Sequence, residues 1–497
     1  MARWESNTIK IIAVVEIAIG LALLAPCAIA LMYGEDASIF VWPIPILLIS
    51  GLLQHLFFKT GDTLRPASGM MMVFIAWLIS FVVSAIPFYL YGFSFTDSLF
   101  EAVSGFTTTG ASVMEDAVLP YSILFWRSFT QWAGGIAVVL IFLFLMPMMG
   151  IGGKAFVNNE LAGSGTYNFS LRLRSAANNF ISIYLFLSVF EVLLLMVSGV
   201  GWFESVTMTL STISTGGFMA AGSNMADYSF IVQVIVLAFM FLGGTNFYLH
   251  YRALKKREFS AYSRSQEFVW TVILFLAATV AIVAVLMIAS DDMSSIDLAG
   301  TSWEALFTVV SMGTTTGYVI TDQSLWPLAV YAVLWVAMLF GSMSGSTSGG
   351  IKIYRLLIIK SYVANGVYKM FHPHSVRDVR MDGHSVGDDA VVSATVVIAM
   401  FISALLVSVF VLLVLEPEIS ISESLGLSIS AISNSGVNIG NVEYSGLSGA
   451  SKIFLSFIMW VGRLEVVMAL LLFTRTFWTD LASDVRGDVY TMTKKRH

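Results

Sequence analysis

Long apolar runs separated by short polar stretches dominate this chain. Ten runs stand out, at roughly 11–33, 41–58, 70–92, 121–149, 178–200, 228–250, 267–290, 325–350, 390–415 and 451–475. Each approaches or exceeds the 20 or so residues that a helix needs to cross a bilayer. Residues 11–33 also carry some marks of a cleaved leader: Lys10 precedes the run and small residues occupy Ala28–Ala30. Glu16 interrupts that run and many spans follow, so it reads as a retained first span. The pattern predicts an all-α polytopic membrane protein of about ten transmembrane helices. Composition agrees, with 57% hydrophobic and only 12% charged residues, about half the charge of a soluble domain. The net charge of −6 says little about partners in such a chain. Cys27, the single cysteine, lies inside an apolar run and reads as a small hydrophobe.

Between some runs lie short half-apolar segments that end in glycine. Four can be set side by side: "SGFTTTGAS", "LSTISTGGF", "SMGTTTGYV" and "AISNSGVNI". Small hydroxyl or amide residues lead in each to Gly110, Gly216, Gly317 or Gly436. Twelve or thirteen residues upstream of each glycine stands an acid, Asp97, Glu204, Glu304 or Glu423, suited to a helix N-terminus. A helix of about ten residues reaches only about 15 Å, half a bilayer, so the chain must enter and return. Backbone that is not helical at such depth survives only when buried in protein or lining water. The unit is therefore span, re-entrant pore loop, span, repeated four times around one pseudo-fourfold pore. Four loops on one axis would supply rings of carbonyl oxygens that replace the hydration shell of a monovalent cation. The expected organisation is 1–65, two extra spans; 66–160, 161–258, 259–370 and 371–475, the four pore repeats; and 476–497, a tail.

Charge is distributed unevenly. Segments 93–125, 201–228, 291–326 and 416–451 contain no Lys or Arg but fifteen Asp or Glu. Topology explains the missing bases; so many acids suggest a vestibule that concentrates cations, some of them serving as helix caps. Bases gather instead in "HYRALKKRE" (His250 to Glu258), in 351–389 with Lys352, Arg355, Lys360, Lys369, Arg377 and Arg380, and in the terminal "KKRH". These segments are expected in the cytoplasm, which with an even number of spans puts both termini there.

Four span–pore-loop–span units, each with a filter glycine, resemble the Trk/Ktr/HKT superfamily of potassium transporters. Two extra leading spans make the chain similar to its bacterial TrkH/TrkG/TrkI branch rather than the shorter KtrB branch. The resemblance implies potassium uptake across the bacterial inner membrane, a homodimer with one pore per subunit, and a cytosolic nucleotide-binding ring of TrkA type. No nucleotide motif and no cofactor site of its own is read in this chain, and no nucleic-acid partner is implied. Carried over position by position, the filter that would bind potassium is Thr107-Thr108-Thr109-Gly110, Ile213-Ser214-Thr215-Gly216, Thr314-Thr315-Thr316-Gly317 and Ser433-Asn434-Ser435-Gly436. Sodium-selective plant members replace the first filter glycine by serine; all four glycines here favour potassium. The fourth loop departs most, with Asn434-Ser435 in place of threonines.

"GSMSGSTSGGIK", Gly341 to Lys352, falls where the second span of the third repeat should be finishing. Its glycines Gly341, Gly345, Gly349 and Gly350 make a poor helix. The segment is either a plain linker or a break beneath the filter; the family has an intramembrane loop there that could obstruct the ion path. "WVGRLEVVM" places Arg463 and Glu465 mid-span, where charges face a cavity or a partner. One reading is a structural ion pair, for instance with Glu191. The family reading is an arginine under the filter that meets the loop and, with it, gates the pore.

Two other classes stand beside the pore. An enzyme would need acid, base or metal-ligand clusters within the spans, but none of the six histidines, His55, His250, His372, His374, His384 and His497, is mid-span. An alternating-access symporter for another cation or solute would also use broken helices. Four similar loops, rather than two broken helices, favour a pore.

Overall fold

The computed structural model describes residues 3–58, 66–114, 117–145, 166–219, 224–289, 297–323, 326–375, 377–437 and 442–481. The linkers within 1–65 and 66–160, the acids Glu115, Asp116, Asp291 and Asp292, and the terminal "KKRH" fall wholly or partly outside them.

Among the described residues, seven helices are long and apolar enough to span a membrane: Asn7–Tyr33, Ser38–Phe57, Ala67–Tyr91, Tyr121–Ile141, Arg174–Val197, Gln266–Ala289 and Asp388–Leu415. The other three expected crossings are interrupted. Phe230–Gly243 turns by 102° into Phe247–Lys255, Leu328–Phe340 stops at the Gly/Ser segment, and Gly449–Arg463 ends two residues before Glu465. These are the post-loop helices of repeats two, three and four; in repeat one the equivalent helix, Tyr121–Leu145, is unbroken. Outward-facing side chains on the spans are apolar, for example Leu193, Val280 and Phe410, as a hydrocarbon solvent requires.

The two leading spans pack tightly because Gly51 brings them together: a Cβ there would lie 2.9 Å from the Ala13 carbonyl oxygen. Glu16 is satisfied between them, accepting from Ser50 Oγ at 2.6 Å and Gln54 Nε2 at 3.1 Å. The small hairpin Val379–Met381 with His384–Val386 is the sheet seen among the described residues. It follows the long helix Ile353–Phe371 that leads out of the Gly/Ser segment.

Four short helices enter between the long ones: Phe95–Phe106, Trp202–Ile213, Leu298–Gly313 and Ile421–Ser433. Their starts follow the sequence. Ser94 caps Asp97 N at 3.1 Å, and Ser420 and Glu423 form a reciprocal capping box. The third departs from expectation: Asp297 caps it, so Glu304 lies inside the helix and not in its first turn. At 12 to 16 residues and about 1.5 Å per residue, none could cross a bilayer. All four end among buried small polar residues: Thr107–Thr109, Ser214 and Thr215, Thr314–Thr316, and Ser433–Ser435.

Candidate functional site: a ring of four backbone turns

Each short helix ends in the same turn. Its last-turn carbonyl accepts from a backbone amide five residues on: Thr109 N to Ser104 O, Gly216 N to Ser211 O and Thr316 N to Ser311 O at 2.8 Å, and Ser435 N to Ser430 O at 3.0 Å. One residue before each of these amides φ is positive, at Thr108, Thr215, Thr315 and Asn434. One residue after, φ is positive again, at Gly110, Gly217, Gly317 and Gly436. A hydroxyl at the turn's start bonds back four residues in every repeat, from Thr107, Ser214, Thr314 and Ser433.

This geometry corrects the second segment. Its turn is Ser214-Thr215-Gly216-Gly217, one residue later than Ile213-Ser214-Thr215-Gly216. Ile213 ends the helix, as Phe106 does in repeat one, and Gly217 takes the place assigned to Gly216. With Gly217 in register, all four acids stand thirteen residues before their glycine and all four serines six residues before it.

The turns close on one another. A Cβ on Gly110 would lie 2.0 Å from the Gly216 carbonyl oxygen, on Gly217 1.9 Å from that of Thr316, on Gly317 2.4 Å from that of Ser435, and on Gly436 2.1 Å from that of Thr109. Each glycine therefore faces the next repeat's carbonyl, in the order one, two, three, four and back to one. No side chain fits those seams, and positive φ independently favours glycine there.

A second fourfold set lies in the helices that follow the turns. Gly134, Gly243, Gly341 and Gly462 each touch the carbonyl of the residue four before the seam glycine, Phe106, Ile213, Gly313 and Ile432 respectively; a Cβ would lie 2.0, 2.8, 2.6 and 2.0 Å away. The next residue in each repeat is Gly135, Gly244, Ser342 or Arg463. Arg463 thus fills a ring position that the other repeats leave small.

The Gly/Ser segment is folded rather than slack. Phe247 N donates to Gly345 O at 3.0 Å, Ser344 N to Glu267 Oε1 at 2.6 Å, and Thr347 N to Gly243 O at 3.2 Å. It runs directly against the turns. Thr347 Oγ1 bonds Ile213 O at 3.1 Å, Thr215 Oγ1 bonds Thr347 at 3.2 Å, and Gly349 N donates to Thr315 Oγ1 at 3.0 Å. A Cβ on Gly349 would lie 1.9 Å from Ser433 O. Lys352 Nζ turns back onto the carbonyls of Ser348 and Gly349. Gly341 begins the break, and Gly345 and Gly350 take positive φ within it.

A cavity below the turns is lined by Gly345, Gly349, Gly350, Lys352, Arg463 and Glu465, among others. Arg463 is buried, and none of its guanidinium nitrogens has a hydrogen-bond partner among the described residues. The structural ion pair with Glu191 is not formed: neither Glu191 oxygen has a hydrogen-bond partner among the described residues, and Glu465 bonds Arg355.

Other buried polar groups near the turns were not singled out by the sequence. Lys352 adds a second buried cation to the cavity. At the opposite end of the turns, buried Arg127 pairs with buried Glu101 at 2.7 Å. Gln131 donates to Gly216 O at 2.7 Å. The signal lay in "RSFTQWAGG", where Arg127, Thr130, Gln131, Gly134 and Gly135 recur at helical spacing on one face of an apolar span. The expected acidic vestibule is also less free than its charge count suggests. Asp97 pairs with Lys452 at 2.7 Å, Glu101 with Arg127, and Glu416 accepts from Ser448 N at 2.7 Å.

Re-entrant helices, a closed ring of four turns and a charged cavity beneath it define a pore-loop membrane transport protein. The chain belongs to the TrkH family of cation transport proteins, matching it over residues 39–480. It is 30% identical over 482 residues to the Trk system potassium uptake protein TrkH of Halomonas elongata, covering 95% of this chain and 98% of that one. The Trk system potassium uptake protein TrkH of Escherichia coli K12 is 27% identical over 472 residues, 92% of this chain and 96% of its own length. The crystal structure of the potassium transporter TrkH from Vibrio parahaemolyticus superimposes with a TM-score of 0.86 at 25% identity, covering 95% of this chain and 99% of that one. Membership in a transport family removes the enzyme reading.

Proposed function

We propose that this chain carries potassium ions into the bacterial cell across the inner membrane, through a selectivity filter formed by the four turns. The filter residues are Thr107–Gly110, Ser214–Gly217, Thr314–Gly317 and Ser433–Gly436. The observation that carries the reading is the cyclic seam, in which each filter glycine lies against the carbonyl of the next repeat. Carbonyl rings suit a weakly hydrated monovalent cation, and four pore-helix C-termini add negative potential at the same point. The potassium uptake proteins to which the chain is similar over nearly its whole length support the same cargo. Potassium is substrate here, held by backbone oxygens, and this chain needs no further cofactor.

The gate in this reading is the Gly341–Gly350 loop together with Arg463. The loop occupies the space directly beneath the filter, and the unpaired guanidinium opposes a cation in the cavity. Basic segments around Arg252–Arg257 and Lys360–Arg380 face the cytoplasm with both termini. A homodimer controlled by a TrkA-type nucleotide-binding ring completes the assembly. The test is growth of a potassium-uptake-deficient bacterial strain on low potassium, with and without this chain, alongside potassium flux in liposomes holding the purified protein. Failure of both, with the protein folded and in the membrane, refutes the reading.

A further inference from the structure

One face of the helix Tyr121–Leu145 treats the second turn unlike any other. Gln131 reaches around Gly217 from both sides: its Nε2 donates to Gly216 O at 2.7 Å, and its Oε1 accepts from Phe218 N at 3.1 Å. One helical turn earlier, Arg127 Nη1 donates to Met219 O at 3.3 Å, and its guanidinium lies 4.3 Å from the Phe218 ring centre. Arg127 is fixed in turn by repeat one. Its Nε bonds Glu101 Oε1 at 2.7 Å and its Nη2 bonds Ser112 Oγ at 2.8 Å. Glu101 also accepts from Val113 N at 3.2 Å, within the segment that leaves the first turn. Glu101 and Gln131 are fully buried and Arg127 nearly so.

The fourfold alignment, through Gly134, Gly243, Gly341 and Gly462 for Gln131 and Arg127 and through the seam glycines Gly110, Gly217, Gly317 and Gly436 for Glu101, gives each of these residues three counterparts. Those of Gln131 are Met240, Met338 and Met459; those of Arg127 are Val236, Leu334 and Leu455; those of Glu101 are Met208, Thr308 and Leu427. A polar clasp therefore occupies one seam of the ring, where the other repeats put apolar side chains or, once, a threonine. Packing alone does not need it, since methionine or leucine fills the same place elsewhere in this chain. Its hydrogen bonds fall on Gly216 O, Phe218 N and Met219 O, which bracket the glycine that faces Thr316 O.

We propose that Gln131, with the Glu101–Arg127 pair behind it, is a specificity-determining positioning device. It fixes the peptide between Gly216 and Gly217 and so sets one of the four carbonyls that discriminate potassium from sodium. Without the clasp this turn can relax inward, and a smaller ion is then met as well as a larger one. The inference rests on the filter reading above and names residues behind the ring rather than in it.

The test replaces the clasp with what the molecule uses elsewhere. Gln131→Met nearly conserves volume, and the double change Glu101→Leu with Arg127→Leu removes the buried pair without leaving one charge alone, which is often neutral for stability. Purified full-length proteins in liposomes are assayed for potassium and sodium flux, and in detergent for Tm. Native protein without potassium flux would overturn the filter reading, and this inference with it. Given native selectivity, Gln131→Met should lower the potassium-to-sodium flux ratio about tenfold, as the loss of one such hydrogen bond allows, with potassium flux retained and Tm within a few degrees. The double variant should move the ratio in the same direction. Gln131→Glu, which keeps the acceptor for Phe218 N and loses the donor to Gly216 O, should fall with Gln131→Met. An unchanged ratio in Gln131→Met overturns the proposal, as does a fall in Tm and in both fluxes together at constant ratio. If Gln131→Met does not fold, the double variant decides by the same two readouts.

Discussion

Gly217→Ala tests the ring at the position where the sequence reading and the structure part. The new methyl meets two obstacles. Its φ is +80°, and holding a residue other than glycine in such a region costs about 1–3 kcal/mol. Its Cβ would also sit 1.9 Å from Thr316 O, and relieving an overpacked contact of this kind costs typically about 1–3 kcal/mol. The obstructing atom is backbone of the next repeat, so it cannot swing aside as a side chain could. The sum is about 2–6 kcal/mol, and each 1.4 kcal/mol is about tenfold in an equilibrium. Much of it should appear as displacement of the Thr316 carbonyl, so discrimination should fall at least about tenfold even where the fold survives. Gly216→Ala is the control. It has no positive φ, and its Cβ would meet the Gln131 side chain at 2.4 Å; that amide can withdraw, so the defect should be smaller and resemble Gln131→Met. Potassium and sodium flux in liposomes and Tm in detergent are measured on both variants and on Gly110→Ala. Native selectivity and native Tm in Gly217→Ala would refute the seam, and a larger defect in Gly216→Ala would restore the earlier register.

Arg463→Ala and shortening of Ser344–Ser348 should each raise potassium flux; because both act in one cavity, the double variant should gain less than the sum of the two free-energy changes, and Arg463→Ala that is less stable without conducting more would leave a structural arginine. Glu465→Gln breaks the part-buried pair with Arg355, which should lower Tm and loosen the exit of the Gly/Ser loop; an unchanged Tm contradicts this. Burial raises the Asp97 pKa, but hydrogen bonds from Lys452 and Ser94 outweigh it and hold the carboxyl below its usual 3.8. Its contribution is therefore complete above about pH 4 and disappears as pH falls through the lowered value, so Asp97→Asn should flatten the fall in Tm on acidification, and a native pH profile in that variant would refute the pairing. Reversing Lys255, Lys256 and Arg257 should weaken co-purification with a TrkA-type ring without altering selectivity; Arg252 is left out because it already pairs with Glu258 at 2.8 Å.

What the sequence made legible follows from periodicity and from chemistry that must repeat. Seven spans were plain because lipid demands unbroken apolar helix. The four turns were visible because hydroxyl residues and glycine recur around them. Their register in repeat two was not fixed, since "TGG" offers two glycines and only backbone angles say which one lies in the seam. The deciding clue was present all the same: Ser104, Ser211, Ser311 and Ser430 stand six residues before the seam glycines only if Gly217 is the second. The break at Gly341–Lys352 was legible because glycine and serine crowd it. Those after Gly243 and at Leu464–Glu465 were not, because one Gly-Gly pair and one Glu in a long apolar run do not stop a helix by composition. Glu101–Arg127 and Gln131 were missed for another reason. They are far apart in sequence from the atoms they hold, and each alone looks like a single polar residue, Glu101 within a half-apolar segment and Arg127 and Gln131 near the start of a span.

The asymmetry of the molecule is concentrated at equivalent positions of a symmetric frame, and this bears on how a pore can be closed. The ring that follows the fourfold glycines holds Gly135, Gly244, Ser342 and Arg463. An assembly of four identical chains would have to place either four small residues there or four arginines. Four guanidinium groups around one axis would repel each other strongly at low dielectric and would leave no room for a loop. A single chain with four diverged repeats can place one charge and one loop. The same logic holds behind the proposed filter, where one seam carries the Gln131 clasp, and within it, where Asn434 alone replaces threonine at the positive-φ position and donates to Thr109 Oγ1 at 3.0 Å and Met459 O at 2.8 Å. In the proposed gate, a barrier built from one arginine and one loop could be removed by moving a single segment. The loop's exit is tied to the last repeat through Arg355 and Glu465, Gly349 lies against Ser433 O of the same repeat, and the loop's other hydrogen bonds run to repeats two and three. Displacement of the helix Ile353–Phe371 is therefore the motion that would draw the loop from beneath the ring while leaving the four glycine seams intact.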